Sequence, residues 1–236
     1  MCHHEGVFES MNIVVYASYT GECQRIAQYL SKKTGYLLCA IEKIPPASFE
    51  NLILVFPVHC QNIPEAVKRF LSSVSVKHLA AIAAYGKMSY GNVLYEIQHR
   101  YPHTIVAGAY VPTKHSYLAG PRFEDFEKLD AIAEKMTNPK EVIIPKSFQN
   151  PLANLFPTLR GQIGVQIVRN EDCRHCGICE RSCPTHAMRN GKPTRRCIRC
   201  LRCVSRCPHG ALSFRCRLPM ALYLRKKPHT RFVMYL

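Results

Sequence analysis

Eight cysteines between Cys173 and Cys207 carry the clearest chemistry in this chain. They fall in two runs with identical spacing: Cys173, Cys176, Cys179 and Cys183, then Cys197, Cys200, Cys203 and Cys207. Each run reads C-x2-C-x2-C-x3-C-P, closed by Pro184 or Pro208. Thiolates crowded at two-residue gaps ligate metal, and this spacing suits iron–sulfur cubes. Three sulfurs of a run hold one cube and the fourth reaches across to the other. One centre is then held by Cys173, Cys176, Cys179 and Cys207, the other by Cys197, Cys200, Cys203 and Cys183. Zinc is the competing reading, but a tetrahedral zinc site uses four ligands, commonly two pairs separated by a longer loop. A third cysteine two residues on, and a fourth before proline, exceed that need. Disulfides suit small secreted chains, not clustered thiols in a reducing compartment.

The two runs lie at a fixed offset of 24 residues, which marks an internal duplication. A unit of that size cannot bury a core by itself, so the metal centres must hold it together. The elements flanking it are short and apolar, at Val165–Val168 and Ala211–Phe214.

The first 140 residues have a different pattern. Ile13–Ala17, Leu37–Ile41, Leu52–Phe56, Leu79–Ala84 and Thr104–Ala109 are short apolar runs of the kind buried in a parallel sheet. Between them, apolar residues recur at helical spacing: Cys23, Ile26, Ala27 and Leu30, then Ala66, Val67, Phe70 and Leu71, opened by Pro64. Val93, Leu94 and Ile97 make a third such face, and Phe126, Leu129, Ala133 and Met136 a fourth. This alternation predicts an α/β domain with a doubly wound parallel sheet. The connection around Pro45 and Pro46 is too short for a full crossover helix.

Ligands bind beyond the C-terminal strand ends of such sheets. The first strand runs into Ser18, Tyr19, Thr20, Gly21, Glu22 and Cys23, with a helix directly after. Hydroxyls and bare amides at a helix N-terminus suit an anion such as phosphate, although Ser and Thr also cap helices ordinarily. The third strand runs into Pro57, Val58 and His59-Cys60, and the fourth into Tyr85, Gly86 and the segment through Tyr90. A planar ring could lie between these loops, with Tyr85 or Tyr90 as a stacking platform. Both tyrosines suit the core equally well.

Residues 165–214 resemble a bacterial-type two-cluster ferredoxin. Residues 11–136 resemble flavodoxin: Ser18, Thr20 and Gly21 match its phosphate loop [S/T]-x-T-G-x-[S/T], while Cys23 replaces the last hydroxyl residue. The whole order is similar to flavodoxin–ferredoxin fusion proteins of anaerobic bacteria and archaea. That resemblance implies FMN and two [4Fe–4S] clusters close enough to exchange electrons. It divides the chain into a flavodoxin-like domain at 11–137, a linker at 138–164, a small α+β cluster domain at 165–215 and a basic C-terminal tail at 216–236. The implied role is an electron carrier or reductase component, since no set of residues forms a convincing substrate-transforming site.

Charge separates the two parts. Residues 1–160 hold 16 basic and 13 acidic residues, whereas residues 161–236 hold 16 basic and 3 acidic. An acidic redox protein or oxidoreductase subunit is the expected partner of the basic region. A nucleic-acid-binding or regulatory protein is a rival, opposed by arginines that interleave with the cysteines (Arg195, Arg196, Arg199, Arg202, Arg206) and by few aromatics. A flavin-free cluster protein with an α/β docking domain is a second rival. No apolar run reaches the ~20 residues of a membrane span, no secretory signal opens the chain, and a cytoplasmic location is expected. Cys2-His3-His4 reads as a solvated terminus, with residues 1–10 an extension before Met11.

Overall fold

The computed structural model describes residues 11–148 and 155–236; the Cys2-His3-His4 terminus and the middle of the expected linker lie outside them. The first domain runs β1 (Met11–Tyr16), α1 (Glu22–Thr34), β2 (Leu37–Ala40), β3 (Ser48–Pro57), α2 (Glu65–Ser73), β4 (Ser75–Tyr85), α3 (Val93–Arg100), β5 (Thr104–Pro112) and α4 (Asp130–Lys135). A single 3-10 turn at Ile41–Lys43 stands where a helix between β2 and β3 would be. The strands order β2-β1-β3-β4-β5, all parallel. This is the flavodoxin-like doubly wound order, whose switch point lies between β1 and β3.

Alternation along the strands divides the core between the two faces. Leu52, Leu54 and Phe56 of β3 pack with Val67, Phe70 and Leu71 of α2 and with Val93, Leu94 and Ile97 of α3. Ile53 and Val55 face the other way, toward Ile26, Ala27 and Leu30 of α1 and Leu129, Ile132 and Met136 around α4.

The second domain comprises α5 (Pro157–Gly164), β6 (Val165–Arg169), α6 (Ile178–Arg181), β7 (Met188–Arg189), β8 (Lys192–Pro193), α7 (Arg202–Ser205) and β9 (Leu212–Cys216). β6 and β9 pair antiparallel and bring its two ends together. The duplication is visible in the backbone. Positive φ recurs 24 residues apart at His175 and Arg199 (52° and 59°), at Gly177 and Leu201 (73° and 61°), and at His186 and Gly210 (50° and 60°). Both ligand loops therefore wrap with the same left-handed steps, and Leu201 adopts one where its counterpart is glycine.

The C-terminal segment departs from the expectation of a solvated basic tail. α8 (Leu218–Leu224) packs on α5, and β10 (Val233–Tyr235) then pairs antiparallel with β5 as a sixth strand of the first domain's sheet. The Tyr85 hydroxyl donates to the Arg231 carbonyl at 2.6 Å, which anchors this return. The start of the expected linker also packs on the first domain: Val142 and Ile144 are buried in its core, and the Val142 amide donates to the Ile105 carbonyl. Among the described residues, no helix is long and apolar enough to cross a membrane.

Candidate functional site

A cavity of about 360 Å³ lies at the C-terminal strand edge, a volume in the range of small-molecule sites. Ser18, Tyr19, Thr20, Glu22 and Cys23 line it from the first loop, Pro57 to Gln61 from the third strand's loop, and Gly86 from the fourth. Gly21 turns the chain into α1 with φ 97°, and its amide donates to Ser18 Oγ at 3.2 Å. Glu22 sets a carboxylate in this loop, but two guanidinium groups neutralise it: Arg122 Nε at 2.7 Å and Arg25 Nη1 at 3.8 Å. The loop thus keeps the positive field that an anion requires. Cys23 is 3% exposed and packs with Val14 and Ile26 beneath the cavity, where burial raises its thiol pKa.

Tyr85 and Tyr90 do not line the cavity. Tyr85 is 1% exposed in the core, and Tyr90 meets it edge-on and stacks on Tyr110 at 3.9 Å. The reason lies in strand parity: Tyr85 shares a face with Ala83 and Ala81, which turns its ring toward α2 and α3. The rings at the cavity are Tyr19, Tyr117, Tyr223, His59 and His115. Gly86 matters here through its missing side chain. A Cβ on it would meet His115 Cδ2 at 2.6 Å. His115 Nδ1 accepts from the Tyr117 amide at 3.1 Å, and burial lowers the ring's pKa to about 4. The imidazole is neutral at pH 7, with its proton on Nε2.

Cys60 and Gln61 hold successive positive φ of 48° and 66° in a tight turn closed by His59 and Asn62. Without glycine such a turn is strained, and strain of this kind clusters at ligand loops.

The far wall of the cavity comes from the second domain. Arg160, Ile163 and Gly164 of α5 contribute to it, as do Arg199, Cys200, Pro219, Met220 and Tyr223. Sequence reasoning missed this wall, because nothing local in α5 or α8 announces that they fold back over the strand edge. His59 Nε2 donates to the Ile198 carbonyl at 3.0 Å, and the Tyr117 hydroxyl to the Arg199 carbonyl at 2.6 Å. Arg202 pairs with Glu42 at 2.7 Å. The loop between Cys197 and Cys200, with Arg202 just beyond it, is therefore tied to the first domain at three points. Nη1 of Arg199 is a buried donor with no hydrogen-bond partner in the cavity wall.

A second, smaller void is bordered by Cys173, Cys176, Cys179 and Cys207, so the last cysteine of the second run meets the first three of the other. Cys183 lies with Cys197 and Cys203 in the domain's small core, and Cys200 is electrostatically coupled to all three. Burial raises the pKa of Cys200 to about 12 and of Cys203 to about 11. Such thiols ionise only with a compensating cation, which is what iron provides. Backbone amides point at the sulfurs: Ala187 N donates to Cys183 Sγ at 3.2 Å, and Arg202 and Val204 amides reach Cys200 and Cys203. Among the described residues, no three His, Cys, Asp or Glu side chains converge tightly enough for a single metal ion. Four thiols around one void are the donor set that an iron–sulfur cube takes.

Residues 167–189 and 194–213 match the family model of the 4Fe-4S binding domain. The chain joins a flavodoxin-like fold to a ferredoxin-type domain. No curated protein matches the sequence. Among solved structures, a candidate flavoprotein from Bacteroides uniformis is similar at TM-score 0.41 and 17% identity, over 53% of this chain and 99% of its own. A short-chain flavodoxin associated with a bacterial microcompartment is similar at TM-score 0.41 and 19% identity, over 55% of this chain and 97% of its own. The flavodoxin-like assignment rests on the strand order itself. The ferredoxin-type domain supports 4Fe-4S binding and, with it, an electron-transfer role that implies a redox partner.

Proposed function

We propose that the chain carries electrons between FMN, bound in the interdomain cavity, and two [4Fe–4S] clusters. The observation that carries this reading is that the Ser18–Cys23 loop and Cys200 line the same cavity. A flavin there would lie against a ligand loop of the nearer cluster. FMN takes up two electrons and releases them singly, and clusters carry them one at a time.

The residues have distinct tasks in this reading. The amides and hydroxyls at Ser18 and Thr20 receive the phosphate, with Arg122 and Arg25 offsetting Glu22. Pro57, Val58 and Gly86 bring backbone close to the ring, while Tyr19, Tyr117 and Tyr223 exclude water. Arg199 donates its unpaired Nη1 to an oxygen of the ligand. Cys197, Cys200, Cys203 and Cys183 ligate the nearer cluster, and Cys173, Cys176, Cys179 and Cys207 the farther one. Cys176 is exposed, so the farther cluster is the exit to an acidic redox partner, approached through exposed Arg174, Arg181 and Arg206.

Anaerobic purification with iron, sulfide and flavin assays tests this directly. About eight iron and eight sulfide per chain are expected, with FMN quenching its fluorescence on titration into flavin-free protein. Stoichiometric zinc without sulfide would end the cluster reading. Failure of FMN to bind at millimolar concentration would leave a flavin-free cluster protein with a docking domain.

A further inference from the structure

The packed pair α5 and α8 presents an apolar face that the described residues leave uncovered. Phe156 is 70% exposed and Leu218 71%, with Leu155, Leu159, Ile163 and Leu222 each about half exposed. Soluble monomers rarely display so many large apolar side chains on adjoining elements without a use for them. The face is preformed. Gly164 lets the helices touch, since a Cβ there would meet Met220 Cε at 2.9 Å, and the Arg217 amide donates to the Gly164 carbonyl at 2.8 Å.

Charge around this face has one sign. Arg217 opens α8, and exposed Arg225, Lys226 and Lys227 follow its last turn, while Arg160 stands beside Leu159. Residues 155–170 and 208–236 contain no acidic residue. A second copy docked face to face would set these cations against their own kind, as a two-fold contact requires. The complementary occupant is anionic and can accept leucine and phenylalanine side chains without fixed hydrogen-bond partners.

We infer that the α5–α8 face seats the protein on an anionic lipid bilayer, with the apolar side chains at the acyl boundary and the cations among the headgroups. Apolar insertion combined with a basic rim is the physical basis of such peripheral attachment. Arg160 and Ile163 also line the interdomain cavity, so attachment would place one of its walls at the membrane surface.

The test is co-sedimentation of the full-length, anaerobically purified holo-protein with vesicles. It should pellet with phosphatidylcholine vesicles containing phosphatidylglycerol, less so as salt rises, and not with phosphatidylcholine alone. Changing Arg225, Lys226 and Lys227 together to Gln should weaken binding on the order of 100-fold. The pair Leu218→Ser and Leu222→Ser should weaken it about tenfold or more, with iron content and elution volume unchanged in both variants. No binding to anionic vesicles, equal binding to neutral ones, or wild-type binding by both variants overturns the inference. So does a dimer that the leucine variant dissolves, or capture of an acidic redox protein through these residues with no lipid binding.

Discussion

His59 Nε2 donates to the carbonyl of Ile198 at 3.0 Å, tying the loop after β3 to the loop between Cys197 and Cys200. One imidazole thus belongs to both halves of the molecule. Burial lowers its pKa and keeps it neutral, so it acts as a plain donor. His59→Ala should cost about 1 kcal/mol by removing the partner of a partly buried carbonyl. It should also slow electron exchange between flavin and clusters, whereas His59→Gln should restore part of both. Denaturant titration and stopped-flow reduction measure the two effects, and no change in either would show the contact to be incidental.

The crossed arrangement of cysteines makes a specific expectation. Cys183→Ser should damage the cluster held by Cys197, Cys200 and Cys203, because Cys183 lies in their core rather than at the void bordered by Cys173, Cys176, Cys179 and Cys207. Iron analysis should fall from about eight toward about four, with electron paramagnetic resonance reporting one surviving cluster. Selective loss of the other cluster would reverse the ligand assignment.

Gly86 and His115 form a matched pair. Gly86→Ala would drive a Cβ within 2.6 Å of the His115 ring and 3.2 Å of its Cα, so the loop must move. Overpacking of this kind typically costs about 1–3 kcal/mol, and FMN affinity should drop with it. Wild-type affinity in this variant would place the ring elsewhere.

His115 also gives a dependence on pH. In the fold its pKa is about 4, against about 6.5 for an unperturbed His. Between those values the unfolded chain binds more protons than the folded one, so this contribution is fully present above about 6.5 and declines as pH falls toward 4. His115→Gln should flatten that part of the stability profile, measured by denaturant titration followed by circular dichroism. A slope identical to wild type would mean the ring is solvated.

Thr20→Ala should weaken FMN by about tenfold, the value of one hydrogen bond to a charged group, and leave riboflavin affinity unchanged. Fluorescence titration with both flavins separates the phosphate contact from the ring contact. An equal loss for both would move Thr20 from the phosphate to the ring.

What was legible in the sequence followed from local pattern. The eight cysteines announced themselves by spacing, and the five parallel strands by apolar runs separated by helical periodicity. Tyr85 could not be placed by composition, because its direction depends on strand parity relative to Ala83. The turn at Asn190-Gly191, whose φ values of 46° and 72° suit a tight hairpin, carried a signal that sequence reasoning passed over. Arg199, Met220 and Tyr223 were out of reach for a different reason. Their place at the cavity depends on contacts between segments more than a hundred residues apart, and no periodicity encodes that. The basic character of residues 216–236 suggested a solvated tail, yet Val233, Met234 and Tyr235 form a strand whose partner is β5.

That last strand has a consequence for biosynthesis. β5 is made more than a hundred residues before β10, and its edge at Gly108, Ala109 and Tyr110 lacks this strand partner until residues 233–235 leave the ribosome. The whole ferredoxin-type domain is translated in that interval. The sixth strand can therefore join the sheet only after the ferredoxin-type domain has been synthesised.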